Sequence, residues 1–405
     1  MISVEHLIKN ALDFVYSRFF SEKTELIYDY TADPAVHASE YLPTPEQIRQ
    51  QVPNPCGWGV GMEDSTLNGG SLLDGYIALW NATGCEQIRQ PALRIFNGLL
   101  RCAKIPEAPG FVARSISPAD GKTHYFGSSR DQYTHWVYSA IRLYDTSFCP
   151  SDIKEQIKTV LTQIAEKCQR EVIPENNYNL LRSDGRWERV AQMWGDDIGP
   201  HECLRLPMFY LAAYHVTQNP KWNRLYLRYR DEAIKKTVAF KPETSYCYVS
   251  LQVQYSLKLV YDLDSEVREQ LLPIMKSLAD HNEKLAIEKS KRFSTPEMRE
   301  TLYYPLYPWD QVEPLDLGDF GGYPLLNPAQ SENPDNIAYY PVREVGECAS
   351  VAALCPTREF SPDLIPAIKS MLQAIDFDRY CSVYAPLLLS CAYMLCLEHE
   401  KQSKA

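Results

Sequence analysis

The sequence is short of several things that would place it quickly. Its 12 cysteines include no CxxC pair and no His/Cys cluster with zinc spacing, so a structural zinc site is not expected. Many of them (Cys102, Cys168, Cys203, Cys391, Cys396) fall inside helical patterns, where a thiol acts as a small apolar residue; they read as reduced, which favours a reducing compartment. Positive charge is scarce: 41 Lys and Arg stand against 52 Asp and Glu, for a net charge of −11. That argues against a nucleic-acid partner, which needs basic patches for phosphate, and leaves a sugar or other neutral substrate open. No apolar run is long enough to span a bilayer. The first twenty residues lack an apolar leader core, because Glu5, Lys9 and Asp13 interrupt it; the expectation is a cytoplasmic protein, or a periplasmic one if a leader has been removed. Strands alternating with helices through Gly-rich turns are also missing, which excludes a parallel α/β sheet.

What is present is a long series of helical patterns in a chain of 405 residues that is 45% hydrophobic. Val4–Phe20 carries an apolar stripe of Leu7, Ala11, Phe14, Val15 and Phe19. Five helix–turn–helix pairs follow, opening near Ser65, Ser128, His201, Glu243 and Arg343, and a last helix runs from Tyr384. The first member of each pair is the more apolar and aromatic, and the second carries a charged face. If the last helix pairs with the first, the count is six hairpins. The expected fold is therefore an all-α (α/α)6 toroid, with residues 1–405 as one domain. Ser290–Val342, rich in Pro, Gly, Asp and aromatics, reads as a long loop of a kind that is usually functional.

In such a ring the inner helices are parallel, so their first turns gather at one mouth. The stretch Gly127–Asp145, GSSRDQYTHWVYSAIRLYD, shows what is placed there. Ser128 or Ser129 can cap the helix, and Asp131 falls in a first turn where free N–H groups and the macrodipole favour an anion. Other stretches bring Asp64, Asp196 with Asp197, His201 with Glu202, and Arg343 with Glu344 to the same level. Trp58, Trp136 and Trp194 lie on the same loops or first turns. Paired carboxylates can divide acid and base roles when their environments push their pKa values apart; a carboxylate at a helix start suits the base, while plain capping competes for each of them. His201 has no second His four residues on and so matches no metal motif. Arg343 can hold a substrate carboxylate or make a salt bridge. With 27 Tyr and 7 Trp, the chain is well supplied with side chains that stack on sugar rings and hydrogen-bond hydroxyls, although packing claims many of them.

The order Glu63-Asp64-Ser65-Thr66, inner helix, turn, outer helix, loop, then Arg130-Asp131-Gln132-Tyr133-Thr134-His135-Trp136 resembles the six-hairpin glycosidase superfamily, and within it the unsaturated glucuronyl and rhamnogalacturonyl hydrolases. The resemblance implies a glycosidic-bond hydrolase working on short, uronic-acid-containing oligosaccharides, with Asp131 as general acid/base and Asp64 as its partner. Arg130 or Arg343 would hold a substrate carboxylate, Trp58, Trp136 and Trp194 would form stacking walls, and Asp197 and His201 would complete the substrate site. No metal or organic cofactor is implied, and the expected partner is the oligosaccharide alone. The same toroid hosts lyases and sugar epimerases, in which His201 or a Tyr would abstract a proton, and a non-catalytic glycan-binding protein is the third reading.

Overall fold

Twelve helices of eleven or more residues make up most of the described chain. The computed structural model describes residues 4–188, 190–303, 309–311, 340–356 and 359–404. In order they are α1 (Val4–Arg18), α2 (Ser65–Thr83), α3 (Arg89–Ala103), α4 (Arg130–Tyr144), α5 (Ser151–Glu171), α6 (Arg205–Thr217), α7 (Pro220–Thr237), α8 (Cys247–Leu263), α9 (Arg268–Lys291), α10 (Tyr340–Ala353), α11 (Leu364–Ala374) and α12 (Ala385–Lys404). Even-numbered helices form the inner ring: α2 packs on α4, α4 on α6, α6 on α8, α8 on α10, α10 on α12, and α12 returns to α2. The odd-numbered helices lie outside them, α1 against α12, α3 against α2, α5 against α4 and α6, α7 against α6, α9 against α8 and α10, and α11 against α10. This is the all-α (α/α)6 toroid. Among the described residues β pairing is limited to isolated bridges, and no helix is long and apolar enough to cross a membrane.

Residue pattern explains which helix goes where. α2 is buried at every position from Ser65 to Leu79, as a helix surrounded by others must be. α5 buries Ile153, Ile157, Val160, Leu161, Ile164 and Cys168, a single stripe at helical spacing that leaves its charged face to solvent. Ring closure joins distant parts of the chain. Tyr30 bridges to Ser382, and the N–H of Thr31 and of Val383 donate to Cys381 O and Asp29 O at 2.9 Å each. Where α10 meets α12, only a glycine fits: a Cβ on Gly346 would stand 2.2 Å from the Leu387 nitrogen. Further down the ring, Asp74 of α2 accepts from Arg142 Nε of α4 at 2.9 Å and from the Tyr393 hydroxyl of α12 at 2.8 Å.

Several boundaries differ from the sequence expectation, and α8, expected from near Glu243, begins at Cys247 after a short turn at Pro242–Thr244. The helix expected from about His201 begins at Arg205, because Gly199 and Pro200 lead into turns in which Glu202 N bonds Gly199 O and Arg205 N bonds Glu202 O. Ser290 and Lys291 close α9 and are followed by short helical turns as far as Tyr303 and at Trp309–Gln311. The remainder of the expected Ser290–Val342 loop before Tyr340 lies outside the described residues. Among the described residues eleven cysteines are free thiols, and the Cys348 thiol donates to Cys247 Sγ at 3.0 Å between α10 and α8.

Candidate active site

The first turns of α2, α4, α8 and α10, with the loops before them, enclose a cavity of about 280 Å³. Its walls are Cys56, Trp58, Asp64, Leu67, Arg114, Ser129, Asp131, Val190, Tyr248 and Arg343. Asp64, Asp131, Trp58 and Arg343, all expected from the sequence, are thus brought together. Trp58 is held in place by Asn54, whose Oδ1 accepts from the Cys56 and Trp58 N–H groups at 3.1 and 2.9 Å and whose Nδ2 donates to Trp58 O. The loop can make this tight path because Gly57, Gly59 and Gly61 all take positive φ.

Asp64 stands at the cap position of α2 but makes no cap bond. The first-turn donors are met from elsewhere, Thr66 N by Arg114 O at 3.0 Å and Leu67 N by Gln132 Oε1 at 3.1 Å, while the buried Asp29 holds the approach to the helix, its Oδ2 accepting from the N–H of Glu63 and Asp64 at 2.8 and 2.9 Å and its Oδ1 from Asn68. The Asp64 carboxylate is thereby released to the cavity, where Oδ1 accepts from Gln132 at 2.9 Å and Oδ2 from Arg343 at 3.1 Å, with Arg114 3.8 Å away. Behind it, Glu63 accepts from Gly59 N and the Tyr30 hydroxyl. Burial, and then the Asp64 charge, push the Glu63 carboxyl up to about 7. Burial also raises Glu347 of α10 to about 7, although Arg343 opposes it through a 2.7 Å bond from Nε.

A buried carboxyl raised in the native state favours folding below its unfolded value, near 4.5, and loses that contribution as pH climbs through 7. Glu63→Gln keeps one oxygen for both donors and removes the charge. Its stability relative to the natural protein should therefore rise between pH 5 and pH 8 in urea titrations; a pH-independent difference would contradict the raised value.

Asp131 is a different kind of carboxylate. Its Oδ1 accepts from Arg205 Nη1 at 2.8 Å. Burial pushes its carboxyl up most strongly, yet Arg205 and then Arg130 outweigh burial and bring it down to about 2. It stays ionised at neutral pH and is disfavoured as the proton donor of an acid/base pair. Beneath it the His135 Nδ1–H donates to Asp131 O at 2.8 Å. Burial lowers this imidazole to about 4, so it is a neutral group that fixes the Asp131 backbone. Ser129 holds the cap position of α4 without the expected cap bond; its hydroxyl is buried, lines the cavity and has no partner among the described residues. Ser128 instead donates to Val112 O at 2.5 Å.

The other expected site residues are elsewhere. Trp136 is fully buried, and its Nε1 donates to Leu99 O at 2.9 Å. Five residues on from Asp131 is about 140° round a helix, so Trp136 faces the outer helix α3. Losing it would remove about 3–5 kcal/mol of packing, an effect on folding and not on a stacking wall. Trp194 packs edge-on against Tyr229 of α7 at 4.7 Å, with Lys236 over its ring. Asp197 is exposed and accepts from Gln192 at 2.9 Å. His201 sits 3.5 Å from Glu202 and beside Phe240. Arg130 is spent on the same loop, donating to Gln192 O and pairing with Glu202. None of these five lines the cavity; the segment before α6 folds outward over α7 and carries three of them with it.

Arg114, Arg205 and Tyr248 were not expected from the sequence, and Ser129 only as a cap. Arg205 carried a readable signal, a lone cation opening the apolar run RLPMFYLAAYHVT. Arg114 lies in the loop between α3 and α4, where no periodicity reports orientation. Among the described residues no group of three or more His, Cys, Asp or Glu side chains could hold a metal ion.

No family model and no curated protein sequence matches this chain. Solved structures do match. One is a sugar epimerase from a ruminal bacterium, with a TM-score of 0.53 over 97% of both chains at 10% identity. The likeness is one of fold.

Proposed function

We propose that this chain, as a single domain over residues 1–405, is a carbohydrate-processing enzyme whose cavity takes the acidic end of a short oligosaccharide. The observation that carries this reading is that Asp64 and Asp131 share one small cavity with the guanidinium groups of Arg114 and Arg343. Guanidinium groups match a substrate carboxylate in charge and shape, and carboxylates can move protons at a sugar carbon or glycosidic oxygen. The two acids divide naturally. Asp131, held ionised, suits the base or charge-stabilising role. Asp64, on the same cavity wall and within reach of a bound sugar, is left as the partner that handles the second proton.

Two reactions fit this arrangement. Glycosidic hydrolysis, of the kind the unsaturated glucuronyl hydrolases perform, is supported by the carboxylate pair. Epimerisation beside a carbonyl is supported by the fold likeness to a sugar epimerase over 97% of both chains, with the same two carboxylates as proton carriers, since among the described residues no imidazole lines the cavity. A screen of uronic-acid and neutral oligosaccharides, read by mass spectrometry in normal and heavy water, separates them. Hydrolysis adds one water. Epimerisation leaves the mass unchanged in normal water and exchanges one carbon-bound hydrogen for deuterium in heavy water. Elimination splits the glycan with no net gain. Turnover of neutral sugars only would overturn the acidic-substrate reading, and no reaction with any of them would leave a binding protein.

A further inference from the structure

Tyr246 is 72% exposed, more than any other large apolar side chain described. A single exposed aromatic is ordinary, but this one has a partner and a position. Its ring lies parallel to that of Tyr248, with centroids 5.7 Å apart and 11° between planes. Tyr248 is a wall of the cavity. The pair stands where α8 begins, Tyr246 being its cap residue, so the surface is fixed by a helix and not by a loop. Together the rings continue the cavity wall outward to solvent. Trp58, 47% exposed, borders the cavity from the loop before α2, three places round the ring. The cavity itself, at about 280 Å³, is just under the roughly 300 Å³ at which pockets for drug-sized ligands begin. It has room for about one sugar ring, and a second ring of the same substrate must lie outside it.

We infer that Tyr246 and Tyr248 form a second sugar subsite at the rim, which stacks the neutral face of the sugar ring next to the one held in the cavity. This rests on the acidic-saccharide reading of the cavity and makes the substrate an oligosaccharide of at least two rings. A tyrosine face offers the apolar C–H surface of a sugar a stacking partner while its hydroxyl reaches the sugar's own.

The test is calorimetric titration of the full chain with galacturonic acid and its di- and trisaccharide, and with the matching glucuronate series. In the natural protein the disaccharide should bind about tenfold tighter than the monosaccharide, with little further gain from a third ring. Tyr246→Ala should erase that gain without changing the monosaccharide affinity, and Tyr246→Phe should retain most of it. Because Tyr246 is exposed, neither variant should alter the melting midpoint. Equal affinity for one and two rings in the natural protein, or an undiminished gain in Tyr246→Ala, overturns the subsite while leaving the cavity reading in place. Failure of every saccharide to bind overturns both.

Discussion

Asp64→Asn is expected to lower turnover of the saccharide identified by screening about 10²- to 10⁴-fold, the range for removing a general acid or base. The expected pattern of the loss matters as much as its size. Asp64 lies 3.1 Å from Arg343 and 3.8 Å from Arg114, so removing its charge makes the cavity more positive. An anionic saccharide should then bind as well as before or better while kcat falls. That split separates an interaction made in the transition state from one that only holds substrate. The variant should also relieve Glu63, whose raised carboxyl owes part of its shift to the Asp64 charge. Weakened binding with kcat intact would reduce Asp64 to a contact for a sugar hydroxyl and remove it from the chemistry.

The ring was legible because it is written in two periodicities at once. Helical spacing gives twelve segments, and the change from buried-all-round, as in α2, to one-sided, as in α5, assigns them to inner and outer shells. The mouth was legible for the residues whose place follows from that ring alone: Asp64 before α2, Asp131 in the first turn of α4, Arg343 in the first turn of α10. What sequence position does not give is direction around the helix axis and the course of irregular segments. Trp136 is one turn beyond Asp131 yet points the other way, and Trp194 and His201 follow a connecting segment that packs on α7. Plain capping, the main competitor for Asp64, gives way because Arg114 O from the loop before α4 and Gln132 Oε1 from α4 take the first-turn donors of α2. Partners so distant in the chain and so close in space leave no trace in local pattern.

A large effect on stability is expected at the other acid. Arg205 is 2% exposed, and its charge is matched by Asp131 at 2.8 Å, with the Gln252 oxygen 2.5 Å from its second terminal nitrogen. Asp131→Ala would strand that guanidinium in the ring, a change that costs about 3–5 kcal/mol for a buried pair broken on one side. Asp131→Asn keeps the acceptor and loses less. Loss of activity in either variant is therefore ambiguous until folding is measured, which makes Asp64 the cleaner catalytic test. Adding Arg205→Met to Asp131→Ala should recover part of the loss, because no unpaired charge remains. The pH dependence has a definite sign: a carboxyl lowered to about 2 contributes stability above its unfolded value near 3.8 and surrenders it as pH falls through 2. The gap between Asp131→Ala and the natural protein in urea titrations should accordingly be widest above pH 4 and narrow in stronger acid. A single variant as stable as the natural protein at pH 7, or a double variant no better than the single, would mean that Asp131 does not compensate Arg205 and is not held permanently ionised as a base at the mouth of the ring.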